Sequence, residues 1–144
     1  MTRQRRTRVL VLGDSALRRQ LADEVRAAVA VEETVPPRLG LVLATVRESA
    51  RRSLFHLGEV LVTEAKVRVA GAPGLGLIQG RDSEAALDLA IIDAAWTAGL
   101  PLVAGWPGRW LAAEAELEAK LVREQASLAA TRVEFETLDQ GGAR

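Results

Sequence analysis

The chain has 144 residues, nineteen basic and nineteen acidic, with one histidine and no cysteine. That length suits one domain with a core that needs no staples, and the balanced charge gives no electrostatic reason to favour nucleic acid or an anionic membrane. Without cysteine, a disulfide framework, a thiolate zinc site, iron–sulfur ligation and a cysteine nucleophile are all excluded within the chain.

A lone histidine also excludes a two-histidine metal site, so any hydrolytic triad would have to use His56. No apolar run approaches the ~18 residues that span a bilayer. Met1 to Arg8 is charged and Val9 to Leu12 is too short for a secretory signal. A cytoplasmic protein is expected. The basic tip Arg3, Arg5, Arg6 and Arg8 has no interleaved aromatics to stack on bases and reads as a solvated end.

Arg3 to Leu12 is a short helix or strand candidate that stops at Gly13, and Gly13-Asp14-Ser15 suits a helix stop followed by a new N-cap. From Ser15, Leu17, Leu21, Val25 and Ala28 recur at helical spacing. Pro36-Pro37 forbids that helix from continuing. Leu39 to Val46, dense in Leu and Val, reads as a strand buried on both faces. A polar link from Arg47 to Ser53 precedes a strand that alternates over Leu61, Thr63, Ala65, Val67 and Val69. Its start is more buried, or bulged near Gly58. Gly71-Ala72-Pro73-Gly74 reads as a turn and Leu75 to Gln79 as the returning strand of a hairpin.

Gly80-Arg81-Asp82-Ser83 breaks that strand, and Asp82 or Ser83 caps a helix whose stripe is Leu87, Ala90, Ile91, Ala94 and Ala98. It stops at Gly99, before Pro101. Leu100 to Gly108 is apolar for a loop, and Pro107 pre-sets a last helix reaching about Ala129. There Trp110, Leu117, Leu121 and Leu128 share one side, and Glu116 and Lys120 form an i,i+4 pair. Thr131 to Leu138 alternates as a strand. The fold class is therefore α+β: N-terminal helices, an antiparallel sheet with a hairpin, two longer C-terminal helices and a closing C-terminal strand. A single domain over residues 1–140 with a flexible tail at 141–144 is expected.

Five features could carry chemistry. Gly13-Asp14-Ser15 has the Gly-Asp-Ser of some esterases, but Ser15 sits between two helical patterns, where capping explains it. Gly71 to Gly76 is glycine-rich, yet no lysine follows and the next element is a strand, so it is not a phosphate loop. Gly80-Arg81-Asp82 opens a helix, where free N–H groups and the Arg81 fork could hold a phosphate; a structural pair and cap is the competing reading. His56 and Glu59 could share acid–base work or be ordinary surface groups. Trp96, Trp106 and Trp110 suit either a partner interface or this domain's own core.

The ordered set Phe55-x-x-Gly58-Glu59, Val62-Thr63, Val67-Arg68-Val69 and Gln79-Gly80-Arg81-Asp82, opening a helix with Ile92-Asp93-Ala94, resembles PhnG. PhnG is a small-subunit family of the bacterial carbon–phosphorus lyase system. Ala130-Thr131-Arg132-Val133-Glu134-Phe135-x-Thr137 is similar to that family's closing strand. The likeness covers nearly the whole chain.

The resemblance implies a subunit with no catalytic residues, metal or cofactor of its own, joined to PhnH, PhnI and PhnJ in a dimeric or higher assembly. That system, with an ATP-binding partner, displaces adenine from ATP by an alkylphosphonate, a transferase step giving a ribose 1-phosphonate 5-triphosphate. After a phosphate-releasing step, PhnJ cleaves the carbon–phosphorus bond with an iron–sulfur cluster and S-adenosylmethionine. Candidate partner or phosphate contacts are Phe55, Gly58, Glu59, Gly80, Arg81, Asp82, Arg132 and Phe135. The alternative is a free-standing phosphate or phosphonate binder using Arg81 and the helix start at Asp82. The chain departs from the family at Ala85 and Leu87, where a histidine and a glutamate are usual, and at Glu136, where a second phenylalanine is usual. It also has Glu48 to Arg52 where a Gly-rich turn is usual.

Overall fold

A computed structural model describes residues 2–47 and 54–130. The expected closing strand, with Arg132, Phe135 and Glu136, lies outside the described residues, as does most of the polar link.

Two helices open the chain, α1 (Arg3–Leu12) and α2 (Ser15–Ala28). The Asp14 carboxylate caps α2 by accepting from the Ala16 N–H at 2.9 Å, which satisfies a donor that the first helical turn leaves free. A three-stranded antiparallel sheet follows in the order β1 (Val31–Arg47), β2 (Leu54–Val69), β3 (Ala72–Gln79). Helix α3 (Ser83–Ala98) returns across the sheet and ends at Gly99, which is left-handed at φ 64°. A 3₁₀ turn (Pro101–Gly105) leads to α4 (Pro107–Ala130).

The core lies between the sheet and the helices. Leu21 and Val25 of α2, Ala65, Val67 and Val69 of β2, and Ile91 and Ile92 of α3 form one buried cluster with Val9, Leu10, Trp106 and Trp110. Full burial of each large apolar side chain contributes about 1.5–3 kcal/mol. Contact between α3 and β3 is close because both sides are small. Gly74 and Gly76 face Ala86, Ala90 and Ala94, and a Cβ on Gly76 would collide with the Ala86 carbonyl and come within 2.8 Å of the Ala90 nitrogen. The glycine-rich segment thus serves helix-on-strand packing.

Three sequence expectations need correction. The hairpin turn is Ala70-Gly71, both with positive φ (49° and 79°), between the paired Val69 and Ala72. That is a two-residue turn of the kind whose twist matches the strands, so β3 begins at Ala72 and the Gly71 to Gly74 turn is shorter than expected. Strand β1 begins at Val31 and passes through Pro36-Pro37, with register shifts between Glu33 and Val35 and between Val35 and Arg38. Proline is tolerated there because β1 is an edge strand and the segment is bulged.

The third correction is the largest. Leu39 to Val46 is not buried on both faces: Leu39, Leu41, Val42, Leu43 and Val46 are all exposed. The cause is a mismatch of lengths. Seventeen residues of β1 span about 55 Å as a strand, whereas the sixteen residues of α3 span only about 24 Å. Strand β3 pairs with β2 only from Val62 to Val69. Beyond that point β1 and β2 have each other and no covering layer among the described residues. Helix α4 likewise outruns its support: Trp110 and Leu117 are buried but Leu128 is exposed. On this helix Lys120 reaches Glu124 at 3.9 Å.

Candidate functional site

The uncovered stretch is a two-stranded arm, with Leu41 to Arg47 of β1 paired to Leu54 to Leu61 of β2. Ala44 pairs with Gly58 and Thr45 with His56, so Leu57 is an extra residue on β2, beside Gly58 at φ 152°. This is the bulge expected near Gly58, and its unpaired residue increases local twist. Of the candidate contacts, Phe55 lies opposite Val46, Glu59 opposite Leu43, and His56 opposite Thr45. All three are exposed.

Gly80, Arg81 and Asp82 sit at the root of this arm. The Gly80 N–H donates to the Leu61 carbonyl at 2.8 Å. Thr63, 1 % exposed, ties the junction to β2: its hydroxyl donates to the Gly80 carbonyl at 2.7 Å and accepts from the Asp82 N–H at 3.2 Å. On sequence Thr63 is an inward position of an alternating strand and part of the Val62-Thr63 motif, with no hydrogen-bonding role. A buried hydroxyl must be paired, and that was the available signal for its role.

The Asp82 carboxylate accepts from the Ala85 N–H at 2.9 Å and caps α3. Arg81 has no ion pair among the described residues, so of the expected structural pair and cap the cap is present and the Arg81–Asp82 pair is not. Glu84 lies in the first turn of α3 and pairs with Arg19 at 3.6 Å. The Asp82 carboxylate therefore stands where a phosphate would approach the helix dipole, which disfavours an anion there. Ala85 is buried and Leu87 packs half-buried against the core.

Other candidates resolve into structure. Ser15 is the first residue of α2 and His56 lies on the arm, and neither side chain hydrogen-bonds among the described residues. No His, Asp and Glu cluster able to hold a metal occurs among the described residues. Trp106 and Trp110 are fully buried and Trp96 is partly so, with ring centroids 5.5–6.5 Å apart. The Trp106 indole N–H donates to Glu24 at 3.0 Å, and Arg109 reaches the other Glu24 oxygen at 2.6 Å. The tryptophans thus build this domain's own core.

The basic tip is also committed to structure. Arg3 pairs with Asp93 at 2.5 Å, Arg5 grips Glu114 through two bonds, and Arg6 lies 4.2 Å above the Trp96 ring. The Arg5 guanidinium, by hydrogen bond and then by charge, holds the Glu114 carboxyl below its ordinary value. Asp93 also accepts from the Leu75 N–H at 3.1 Å, fastening α3 to the edge of β3.

Among the described residues one carboxylate is buried, Asp88, paired with Arg26 at 2.7 Å. Burial pushes its pKa up, and the Arg26 hydrogen bond and charge pull it only part of the way back. Burial alone would lower Arg26, but its bonds to Asp88 and Asp23 outweigh this and raise it. The pair joins α2 to α3.

A family model described as "Phosphonate metabolism protein PhnG" matches residues 1–141. No curated protein matches the chain. No helix among the described residues is long and apolar enough to cross a membrane.

Proposed function

Because the chain belongs to the PhnG family of phosphonate metabolism proteins, we propose that it is a non-catalytic subunit of the cytoplasmic carbon–phosphorus lyase system. It supports formation of alkylphosphonate ribose 5-triphosphate from ATP and an alkylphosphonate, in a complex with PhnH-, PhnI- and PhnJ-like subunits. Phe55, Glu59 and Arg81 are contacts to those subunits.

The observation that carries this reading is the exposed apolar arm. Large apolar side chains are exposed along two paired strands that no layer among the described residues covers, which is how a surface reserved for another protein looks. The alternative, a free-standing phosphate binder at Arg81 and Asp82, has Arg81 in its favour and the capping carboxylate of Asp82 against it.

Reconstitution tests the proposal. Purified partner subunits, with and without this chain, are given ATP and methylphosphonate, and the ribose triphosphate product is followed by phosphorus NMR. Product formation is expected to need the chain and to survive Ser15→Ala and His56→Ala together. Equal product without the chain would refute the subunit role.

A further inference from the structure

Resting on the subunit reading, we infer that the arm inserts into a cleft of a different subunit, apolar on both walls, with carboxylates placed to meet Arg47 and Arg81. The two-sidedness follows from the register. Leu39 pairs with Thr63, whose side chain is buried against the helix layer. Side chains alternate along a strand, so Leu41 and Leu43 continue that face past the end of the helix cover. Val42 and Val46 take the opposite face, where Phe55 lies across from Val46. Leu41 and Leu43 are 64 % and 59 % exposed, and Val42, Val46 and Phe55 are 42 %, 40 % and 47 % exposed. One helix or strand laid on this ribbon would cover a single face and leave the other in water.

A second copy of this chain does not meet the need. Edge-to-edge pairing of two β1 strands satisfies backbone groups and leaves both faces bare. An antiparallel overlay of Leu39 to Val46 on itself also sets Arg38 of one copy against Arg47 of the other, a like-charge pair. Stacking two arms face to face covers one face of each. A cleft covers both faces at once.

The free charges say what its rim carries. Arg38 and Lys66 are matched by Glu64, at 3.0 Å and 2.9 Å. Arg47 at the outer end and Arg81 at the root have no carboxylate among the described residues, and Glu59 has no cation. A complementary rim therefore offers carboxylates to the two guanidiniums and a cation to Glu59.

The test compares wild type, Leu41→Lys with Leu43→Lys, and Val42→Lys with Val46→Lys, each co-expressed with the PhnH-, PhnI- and PhnJ-like subunits, captured and titrated. Each lysine pair is expected to weaken binding at least about tenfold, with circular dichroism unchanged because these positions are already exposed. Should a lysine pair disturb folding, threonine pairs at the same positions, which keep strand propensity, make the same comparison. If either pair binds as wild type does, two-sided insertion is wrong while the subunit reading stands. A wild-type homodimer that both pairs dissolve would overturn it in favour of a second copy. A wild-type chain that captures none of the subunits would overturn the subunit reading itself.

Discussion

Gly76→Val is expected to cost about 3 kcal/mol or more, the upper end of overpacking penalties. For a chain of this size that lowers the melting temperature by roughly 10 °C. The reason is the identity of the atoms a new side chain would meet. A Cβ on Gly76 collides with the Ala86 carbonyl and lies 2.8 Å from the Ala90 nitrogen, both backbone atoms of α3. Backbone cannot swing aside as a flexible side chain can, so relief requires lifting α3 from β3. That would open the core around Ala90, Ile91 and Ala94. Gly108→Ala is the control, because nothing lies within 4 Å of its Cβ position. It sits near the start of α4, where alanine is the better helix former by up to about 1 kcal/mol. Thermal unfolding of the two variants checks both expectations, and a Gly76→Val chain that melts with wild type would refute the packing explanation.

The second large effect is Arg26→Ala, with an expected loss of about 2 kcal/mol near neutral pH. Breaking a fully buried ion pair costs roughly 3–5 kcal/mol, and the figure here is reduced because Arg26 is 36 % exposed and partly screened by solvent. What remains is an Asp88 carboxylate with 6 % side-chain exposure and no hydrogen-bonded cation. Its pH dependence has a definite sign. Burial already holds the folded-state pKa of Asp88 above the ordinary carboxylate value, and loss of Arg26 raises it further. Between the ordinary value and that raised one, the folded state binds more protons than the unfolded state, so stability falls as pH rises through this window. The deficit relative to wild type is therefore fullest above the raised pKa and shrinks on acidification. Adding Asp88→Asn should remove most of the pH dependence. Urea unfolding at several pH values measures this, and a deficit that grows on acidification would contradict it.

Much of the chain was legible from sequence where short-range rules decide the structure. Both helix starts carry a cap where sequence places one, on Asp14 rather than Ser15 and on Asp82 of the pair Asp82 or Ser83, because a carboxylate two or three residues ahead of a free N–H needs no distant partner. Gly99 takes the left-handed cap for an equally local reason. Errors arose where distant or missing partners decide. Ala70-Gly71 was overlooked as the turn because alanine is an unusual residue at positive φ, while the next four residues carry ordinary turn composition. Leu39 to Val46 was read as buried because hydrophobicity records that a strand will be covered, not which chain will cover it. At the site, Gly58 was recognisable from a broken alternation. Thr63 was passed over because its phase matched the apolar residues around it. Arg81 could not be assigned from sequence, since its lack of a carboxylate among the described residues is not encoded locally.

The most direct measurement of the central claim is hydrogen–deuterium exchange on the wild-type chain, free and in complex with the PhnH-, PhnI- and PhnJ-like subunits. In the free chain the amides of residues 41–46 and 54–57 should exchange much faster than those of β2 under α3, because the arm has no covering layer among the described residues. In the complex the same arm amides should slow by at least about tenfold. A stable complex in which the arm exchanges as fast as in the free chain would contradict the claim that this chain joins its assembly through the arm.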